Sequence, residues 1–456
     1  MEEEHQNLSP DVLIVGGGVA GLLAAYAARA QGCDVTILQK AKGTTAMSSG
    51  AVDVATMSNV VNSEEGYYPL RHPDVYSEAA ERVALQSPRH PYAQVGREGR
   101  EHLAQALNMF SEMAHGLNMT ARDDGRNMVL MTQMGTLKSA AMCQARCALD
   151  FSQLPSDSHI ALLDLDDLGG YDAASAQKML QWIFSKSRHS HRVSIVRVPT
   201  VFNGGTGPAE SAGVLARRIV AAQKTSELIA SITTEIGHID EKPTHLLAPP
   251  VLGQADGESS FQPLFIHDLP VFEMLSLPPS DLGRRLMNSL EVTAAKQGIQ
   301  IIHAAATSGR IGRSGVEAVT IKQNGKDLEL RPKTAVLCSG RFLSGGLKRD
   351  GGTIEQIFRL PVETGGEWLE DAYVANYLGD TPTDDHPLFR SGIAFDRSLR
   401  PMVKGRQIAA PNLFAAGSIL SGYDPAKDGT GMGVSILTGY LAGQEAAQLA
   451  RVGERS

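Results

Sequence analysis

The sequence predicts an α/β protein in which a Rossmann-like FAD/NAD(P)-binding type of domain, discontinuous in the chain, carries a large inserted α/β domain. Three observations predict this fold: a strand–glycine turn–helix–strand unit near the start, a second alternation of strands and helices in the middle, and a return to glycine-rich strand ends near the end. The predicted boundaries place residues 1–65 and 271–456 in the nucleotide-binding domain and residues 66–270 in the insertion.

The first unit spans residues 11–40. Its apolar, β-branched run at 12–15 predicts a strand covered on both faces, and Gly16, Gly18 and Gly21 follow in G-x-G-x-x-G spacing. The first glycine allows a tight turn, the second lets backbone N–H groups approach a phosphate, and the third lets the helix pack close to the strand. Because the glycines lie between a strand and a helix, the pattern predicts nucleotide binding rather than a plain turn.

The end of the second strand departs from the dinucleotide pattern. An Asp or Glu is expected there, about 20 residues after the glycines, to bind the adenosine ribose hydroxyls. The sequence has Gln39 instead, followed by Lys40. A hydrogen bond to a charged group contributes ~1.5–3 kcal/mol against ~0.5–1.5 for a neutral one, so an adenosine-bearing ligand would bind roughly tenfold more weakly. FAD or NAD would lose this contact and FMN would not, while Lys40 could meet the 2′-phosphate of NADP.

Length, charge and cysteine content exclude several classes of function. The chain has 456 residues, 42% of them hydrophobic, which suits a globular protein of more than one domain. A net charge of −8 and a pI near 5.9 argue against binding of nucleic acid or anionic lipid. No stretch approaches 18 apolar residues, so we expect a cytosolic chain or one that reaches a membrane only through a partner. Four scattered cysteines indicate neither a disulfide framework nor a metal site.

The middle of the chain predicts the inserted domain. Residues 41–54 are rich in small and hydroxyl side chains, and we expect this loop, with Ser48, Ser49 and Gly50, to lie against the ligand. Periodicity predicts a helical region over 71–119 and then an alternation of strands and helices. The predicted elements are strand 159–165, helix 173–187, strand 192–198, helix 210–234 and strand 244–247.

The nucleotide-binding pattern resumes at Pro278. A capped amphipathic helix predicted from there stops at Gly298, and a strand begins at Ile299. A three-stranded meander over 307–330 follows. The last predicted elements are a strand that ends near Gly340, a short strand from Asn412, a glycine-rich loop through Gly417 and an apolar helix that begins near Gly431.

These late segments resemble the flavoprotein family of fumarate reductase and succinate dehydrogenase type. Residues 335–340 and 412–417 match that family's A-T-G strand end and N-L-F-A-A-G-E loop, with Cys338-Ser339 and Ser418 as the substitutions. More narrowly, the whole chain resembles the family of B subunits of anaerobic glycerol-3-phosphate dehydrogenases. The segments that carry this resemblance are SPRHPY (87–92), GTLKS (135–139), LPPSDLGRRL (277–286), RPKTAVLCSGRFLSGGL (331–347), GGEW (365–368), SLRP (398–401) and NLFAAGSILSGYDP (412–425).

The resemblance implies a peripheral subunit of a three-part respiratory enzyme on the cytoplasmic side of the inner membrane. In that enzyme an FAD-containing catalytic subunit oxidises sn-glycerol 3-phosphate to dihydroxyacetone phosphate, an iron–sulfur subunit makes the membrane contact, and electrons pass to quinone and then to fumarate or nitrate. The B subunit of this family is described with FMN, and Gln39 agrees with that choice. FAD remains the alternative flavin.

Candidate site residues follow if a flavin is bound. The helix that begins at Gly431 and contains Gly433 would aim its N–H groups at the N1/C2=O edge of the ring. Gly340 and Gly417 lie at strand ends beside the cofactor, and Asp424 either bonds a ribityl hydroxyl or stabilises its own turn.

Four further residues are candidates for catalysis. Arg285, Arg341 and Arg400 could clamp a phosphate or a carboxylate, and His386 could transfer a proton. Two other functions remain open: a scaffold subunit without cofactor, and a free-standing FAD-dependent oxidoreductase of a small carboxylate.

Overall fold

The computed structural model describes residues 9–56, 61–62, 66–199, 209–252, 264–323, 325–370, 373–381 and 384–452. The chain forms two compact units. The first contains residues 1–44, 80–113 and 290–456, and the second contains residues 45–79 and 114–289. Residues 45–65, 80–113 and 271–289 thus differ from the predicted division, which placed the boundaries at 66 and 270. The predicted domain limits stay a prediction, and each unit is described by itself.

The helices of the described residues are α1 (Val19–Arg29), α2 (Tyr68–Arg71), α3 (Tyr76–Gln86), α4 (Pro91–Gln94), α5 (Gly96–Glu101), α6 (Leu103–Met113), α7 (Ala173–Ser187), α8 (Ala212–Ala221), α9 (Thr225–Gly237), α10 (Asp281–Lys296) and α11 (Gly431–Val452). Within this part of the chain, no helix is both long and apolar enough to span a bilayer.

The strands are β1 (Val12–Val15), β2 (Val35–Leu38), β3 (Val61–Asn62), β4 (Gly66–Tyr67), β5 (Met119–Ala121), β6 (Met128–Met131), β7 (Leu137–Ala140), β8 (Met142–Gln144), β9 (His159–Leu165), β10 (Arg192–Val198), β11 (His245–Ala248), β12 (Leu264–Ile266), β13 (Leu269–Glu273), β14 (Gln300–Ile302), β15 (Ala306–Gly312), β16 (Gly315–Gln323), β17 (Lys326–Leu330), β18 (Thr334–Leu337), β19 (Leu347–Arg349), β20 (Thr353–Glu355), β21 (Val362–Thr364), β22 (Glu367–Trp368), β23 (Gly392–Ile393) and β24 (Leu413–Ala415).

A parallel sheet in the order β14-β2-β1-β18-β24 forms the centre of the first unit. Val12 of β1 pairs with Val35 of β2 on one side and with Thr334 of β18 on the other. Strands β1, β2 and β18 are buried along their whole length, as the continuous apolar runs predict. This strand order is that of a Rossmann-like fold, and the predicted fold class is confirmed.

The predicted meander lies in the first unit as the antiparallel sheet β15-β16-β17, which leads the chain into β18. The short strands β19 to β23 had no sequence prediction. They are two or three residues long, which is too short for an alternating pattern to mark them.

The second unit contains a mixed sheet in the order β10-β9-β11-β13-β12, in which only β12 runs antiparallel to its neighbour. Helix α7 follows β9 with Asp172 as N-cap, whose Oδ1 accepts from Ala174 N–H at 3.1 Å. The bounds of β9, α7 and β10 are those predicted.

The predicted helical region 71–119 and the predicted helix 210–234 are both interrupted in the structure. The region 71–119 holds four separate helices, α3 to α6, because Pro91 starts a new helix after the cap His90 and Gly96 has φ +70°. The predicted helix 210–234 is divided into α8 and α9 around Gln223, whose φ is +55°.

Helix α1 packs against α11 through small residues. A Cβ atom at Gly439 would lie 2.5 Å from Ala20 O, and one at Gly443 would lie 2.8 Å from Ala24 Cα. The two glycines on α11 are four residues apart, as are the two alanines on α1. These small residues let the backbones of the two helices approach closely.

We expect Gly443→Val to lower the free energy of unfolding by about 1–3 kcal/mol, because the added methyl groups must separate α1 from α11. Gln448→Val is the matched control, since Gln448 is exposed on the same helix. Thermal denaturation of both variants measures the effect. Equal midpoints for the two variants would contradict close packing at Gly443.

Candidate flavin site

The glycine turn after β1 has no room for side chains. Gly16 has φ +118°, and a Cβ atom there would overlap the carbonyl of Cys338. A Cβ atom at Gly21 would overlap the carbonyl of Gly16. The N–H of Gly16 donates to Leu38 O at 2.9 Å, so the turn is also bonded to the end of β2. Both glycine positions therefore require glycine, as the motif predicts.

Helix α1 begins at this turn without a side-chain cap. Gly18 is the N-cap, with φ −78° and ψ −176°, and as a glycine it offers no side-chain acceptor to the helix start. The first turn of a helix has no intrahelical acceptors for its N–H groups and carries partial positive charge. The start of α1 therefore fits a phosphate group.

Two more strand ends lie at the same edge of the sheet, because parallel strands all end on one side. Gly340 follows β18 with φ +72°, and Gly417 follows β24 with φ +78°. Gly417 N–H donates to Thr438 Oγ1 at 2.9 Å, and the buried Ser339 Oγ has no hydrogen-bond partner among the described residues. The strand order reverses between β1 and β18, and such a reversal is where open α/β sheets bind ligands.

The start of α11 is held by a buried histidine. His90 is 0% exposed, its Nδ1 accepts from Tyr92 N–H at 3.1 Å, and its Nε2 lies 3.1 Å from Thr430 Oγ1. Since Nδ1 accepts, Nε2 carries the proton and donates to Thr430. Burial lowers the pKa of His90 to about 3, and the nearby Arg341 contributes to that shift. His90 is therefore neutral, and it fixes the residue that precedes Gly431.

Asp424 lies in the turn that precedes α11. Its Oδ1 accepts from Ala426 N–H at 3.0 Å and from Lys427 N–H at 3.3 Å. These are the bonds of a turn-stabilising aspartate, the second of the two predicted roles.

The end of β2 offers less to the adenosine of a dinucleotide than the start of α1 offers to a phosphate. Gln39 is 1% exposed, and its Nε2 donates to Glu291 Oε1 at 2.7 Å and to Gly17 O at 3.3 Å. Its Oε1 has no donor in the described part of the chain, so the amide could accept one ribose hydroxyl. The charged bond of the usual carboxylate is absent at this position.

Comparison with known protein families agrees with this geometry. A family model described as "FAD binding domain" matches residues 11–434. The chain belongs to the FAD binding domain family. This membership supports a flavin cofactor and an oxidoreductase function. The matched residues include the glycine turn, both later strand ends and the start of α11.

Curated relatives of this flavoprotein resemble it over nearly their whole length. The B subunit of the anaerobic glycerol-3-phosphate dehydrogenase of Vibrio cholerae is 26% identical over 446 residues, covering 95% of both chains. A probable B subunit of the same type of enzyme from Halobacterium salinarum is 28% identical over 451 residues, covering 97% of this chain and 98% of the relative. The resemblance predicted from the sequence motifs is confirmed.

Among solved structures, the chain is similar to 3-ketosteroid-delta4-(5alpha)-dehydrogenase from Rhodococcus jostii, with 12% identity, a TM-score of 0.43 and 98% coverage of both chains. It is also similar to E. coli quinol fumarate reductase, with 11% identity, a TM-score of 0.43 and coverage of 98% of this chain and 71% of that one.

The predicted loop residues Ser48, Ser49 and Gly50 belong to the second unit. Gly50 has φ +76°, and a Cβ atom there would lie 2.7 Å from Leu282 Cβ. Lys138 Nζ lies 3.5 Å from Ser49 Oγ. Their role as flavin ligands stays a prediction.

Arg285 is held inside the second unit. Its Nη1 donates to Glu273 Oε2 at 2.6 Å, its Nε lies 2.9 Å from Asp281 Oδ2, and its Nη2 donates to Pro250 O at 3.2 Å. All three side chains of this ion cluster are buried. A guanidinium that satisfies two buried carboxylates stabilises the fold, so this arrangement does not support the predicted ligand clamp.

The other candidate catalytic residues are also engaged within the protein. Arg341 donates to the carbonyls of Phe389, Leu420 and Tyr423, and Arg400 pairs with Asp396 Oδ2 at 2.7 Å. His386 Nδ1 accepts from Gly379 N–H at 3.0 Å. These contacts fix loops of the first unit, whereas Arg285 belongs to the second unit, and a catalytic role for the four residues stays a prediction.

Sequence reasoning missed His90, although it lies in the segment SPRHPY. The signal was a histidine followed by proline, the pattern of a capped helix start, and it gave no indication of the distant partner Thr430.

We expect His90 to make folding stability pH-dependent. The unfolded state takes up a proton at His90 below its usual pKa near 6.5, whereas the folded state does so only near pH 3. Stability that is present above pH 6.5 is therefore lost as the pH falls from 6.5 toward 3, by about 1.4 kcal/mol per pH unit.

Thermal denaturation of wild type and His90→Gln between pH 7.5 and pH 4.5 measures this effect. The wild type should lose its advantage over the variant as the pH falls. His303→Gln, at an exposed position of the same unit, serves as control. A wild-type advantage that is constant with pH would contradict a buried neutral His90.

Proposed function

We propose that this chain is the flavin-containing B subunit of an anaerobic, quinone-linked glycerol-3-phosphate dehydrogenase. The observation that carries the proposal is the sheet edge where the glycine turn, Gly340 and Gly417 meet, together with membership of the FAD binding domain family. A relative named as the B subunit of such an enzyme matches over 95% of its length. The proposed reaction oxidises sn-glycerol 3-phosphate to dihydroxyacetone phosphate.

Two helix starts in the first unit would bind different parts of a flavin. The start of α1 at Gly18 would bind its phosphate, and the start of α11 at Gly431 and Gly433 would place positive partial charge beside the ring. A bound flavin supplies hydride acceptance and one-electron transfer. His90 and Thr430 keep the start of α11 in place without adding a charge.

We propose FMN as the flavin, with FAD as the alternative. The bond from Gln39 to Glu291 supports FMN, because it engages the amide nitrogen and leaves only a neutral oxygen, not a carboxylate, for an adenosine ribose. The family description, which names FAD, supports the alternative.

The proposed partners are an FAD-containing catalytic subunit and an iron–sulfur subunit, which would hold this chain at the cytoplasmic side of the inner membrane. Electrons would pass through the complex to quinone, with fumarate or nitrate as terminal acceptor. The names of the relatives, which designate one subunit of a dehydrogenase, support a complex.

We expect the purified chain to carry a flavin and Gly18→Asp to lose it, because a carboxylate at the start of α1 repels the phosphate. Gly237→Asp is the charge-matched control, since a Cβ atom at Gly237 would have no neighbour within 4 Å. Visible absorption at the flavin bands measures the content. A wild-type chain that carries no flavin after co-expression in flavin-replete cells and separation from its partners favours the scaffold function and rejects the proposal.

The mass of the released flavin tests the choice between FMN and FAD. We expect FMN from the wild type. The double variant Gln39→Glu, Glu291→Gln keeps the bond between the two side chains and moves the carboxylate to the strand end, which should raise the FAD to FMN ratio about tenfold. Release of FAD from the wild type would show that FMN is the wrong flavin while leaving the flavin site itself intact.

Co-expression tests the complex. Together with an FAD subunit and an iron–sulfur subunit, the chain should sediment with membranes and support quinone-linked oxidation of glycerol 3-phosphate, and omission of the chain should abolish that activity. Full activity of the other two subunits without it would contradict a redox role. Full activity of this chain alone would favour a free-standing oxidoreductase.

A further inference from the structure

A cavity of about 220 Å³ lies within the first unit, apart from the glycine turn. Its lining residues are Arg89, Gln94, Glu363, Phe395, Arg406 and Ser421. Drug-sized ligands occupy pockets of roughly 300–1,000 Å³, and this cavity is smaller. It therefore suits a molecule of a few carbon atoms.

Arg89 is presented to this cavity by two glycines and a buried anchor. Gly366 has φ +93°, and a Cβ atom there would overlap the guanidinium of Arg89. Gly422 has φ +92°, and a Cβ atom there would overlap the carbonyl of Arg89. The next residue, His90, is fully buried and bonded to Thr430. The position of Arg89 is thus built by the fold.

Arg89 makes no ion pair or hydrogen bond with any described residue, although most arginines of the unit are paired. Its planar guanidinium presents donors in a fork that matches the oxygens of a phosphate or a carboxylate. Arg89 is exposed, so its unpaired guanidinium is open to solvent, and its donors are available to an anionic ligand in the cavity.

Arg406 supplies a second cation to the same cavity. Its Nη2 lies 2.8 Å from Glu363 Oε2, and its guanidinium lies 5.5 Å from the ring centroid of Trp368. Glu363 is 5% exposed, and its Oε1 accepts from Ser421 Oγ–H at 2.8 Å. Two arginines and one glutamate leave the lining with one net positive charge.

The buried carboxylate distinguishes between small anions. Glu363 Oε2 is enclosed beside Arg406, and Gln94 uses its Nε2 on Pro88 O, which leaves Gln94 Oε1 as an acceptor. A ligand with hydroxyl groups can donate to Gln94 Oε1, whereas a plain dicarboxylate would be repelled by Glu363.

We propose that Arg89 and Arg406 form an anion site in this cavity that binds a small phosphate monoester carrying hydroxyl groups. The identity of the ligand as glycerol 3-phosphate rests on the proposed function; the site itself rests on the geometry of the first unit. Arg89 binds the phosphate, Arg406 adds positive charge while it pairs with Glu363, and Gln94 Oε1 accepts from a hydroxyl.

Isothermal titration calorimetry on the purified full-length chain tests this site with glycerol 3-phosphate, inorganic phosphate, succinate and glycerol. Glycerol 3-phosphate should bind most tightly, inorganic phosphate more weakly, and succinate and glycerol more weakly still. Arg89→Gln should reduce the affinity for glycerol 3-phosphate tenfold or more. Arg97→Gln is the matched control, because the side chain of Arg97 is 84% exposed and lies on the neighbouring α5.

The Glu363→Gln variant tests the role of the buried carboxylate. Removing the carboxylate should tighten the binding of inorganic phosphate and of succinate, because the negative charge of Glu363 repels anions in the cavity. Succinate that binds the wild type as tightly as glycerol 3-phosphate, or an Arg89→Gln variant with wild-type affinity, would overturn the site.

A second measurement applies if Arg89→Gln does not fold. Wild-type protein treated with phenylglyoxal should be modified at Arg89, and glycerol 3-phosphate should slow that modification at least fivefold without protecting Arg97. Equal rates at Arg89 with and without the ligand would overturn the site. Flavin content and the activity of the complex are measured separately, so a failed anion site leaves the proposed function standing, and a chain without flavin fails on that count alone.

Discussion

The first unit depends on one close contact, in which the backbone of α1 touches its neighbours on two sides. At its start, Gly21 lies against the carbonyl of Gly16, and Gly16 lies against the carbonyl of Cys338. Along its length, Ala20 and Ala24 lie against glycines of α11. Since no side chain separates these backbones, the distance between β1, β18 and both helices is set by backbone atoms alone. The same contact brings the uncapped start of α1 to the ends of the strands.

The sequence could predict those parts of the fold that local patterns mark. Buried parallel strands and a glycine turn are local patterns, so β1, α1, β2 and β18 were predictable, and β9, α7 and β10 were predicted at their observed bounds. Helix ends inside 71–119 were not, because the breaks depend on a single proline after His90 and on the positive φ of Gly96. Periodicity continues across such breaks although the helix does not.

The candidate site was predictable only where its residues act through their own backbone. Gly16, Gly21, Gly340 and Gly417 have conformations or contacts that require glycine. Side-chain partners were not predictable, because they come from distant parts of the chain: 252 residues separate Gln39 from Glu291, and 340 separate His90 from Thr430. A sequence motif can name a residue type, whereas the fold decides which group that residue meets.

The partners that the fold supplies also decide which arginines are available to a ligand. Arg285 and Arg400 are held by acids and Arg341 by carbonyls, so their charge serves the fold. Arg89 has no such partner among the described residues, yet it is adjacent to His90, the residue that holds the start of α11. One short turn thus fixes a neutral side chain in the core and a charged one at a cavity. Because the two residues are adjacent, a change that displaces His90 also displaces Arg89, so the start of α11 and the wall of the cavity share one support.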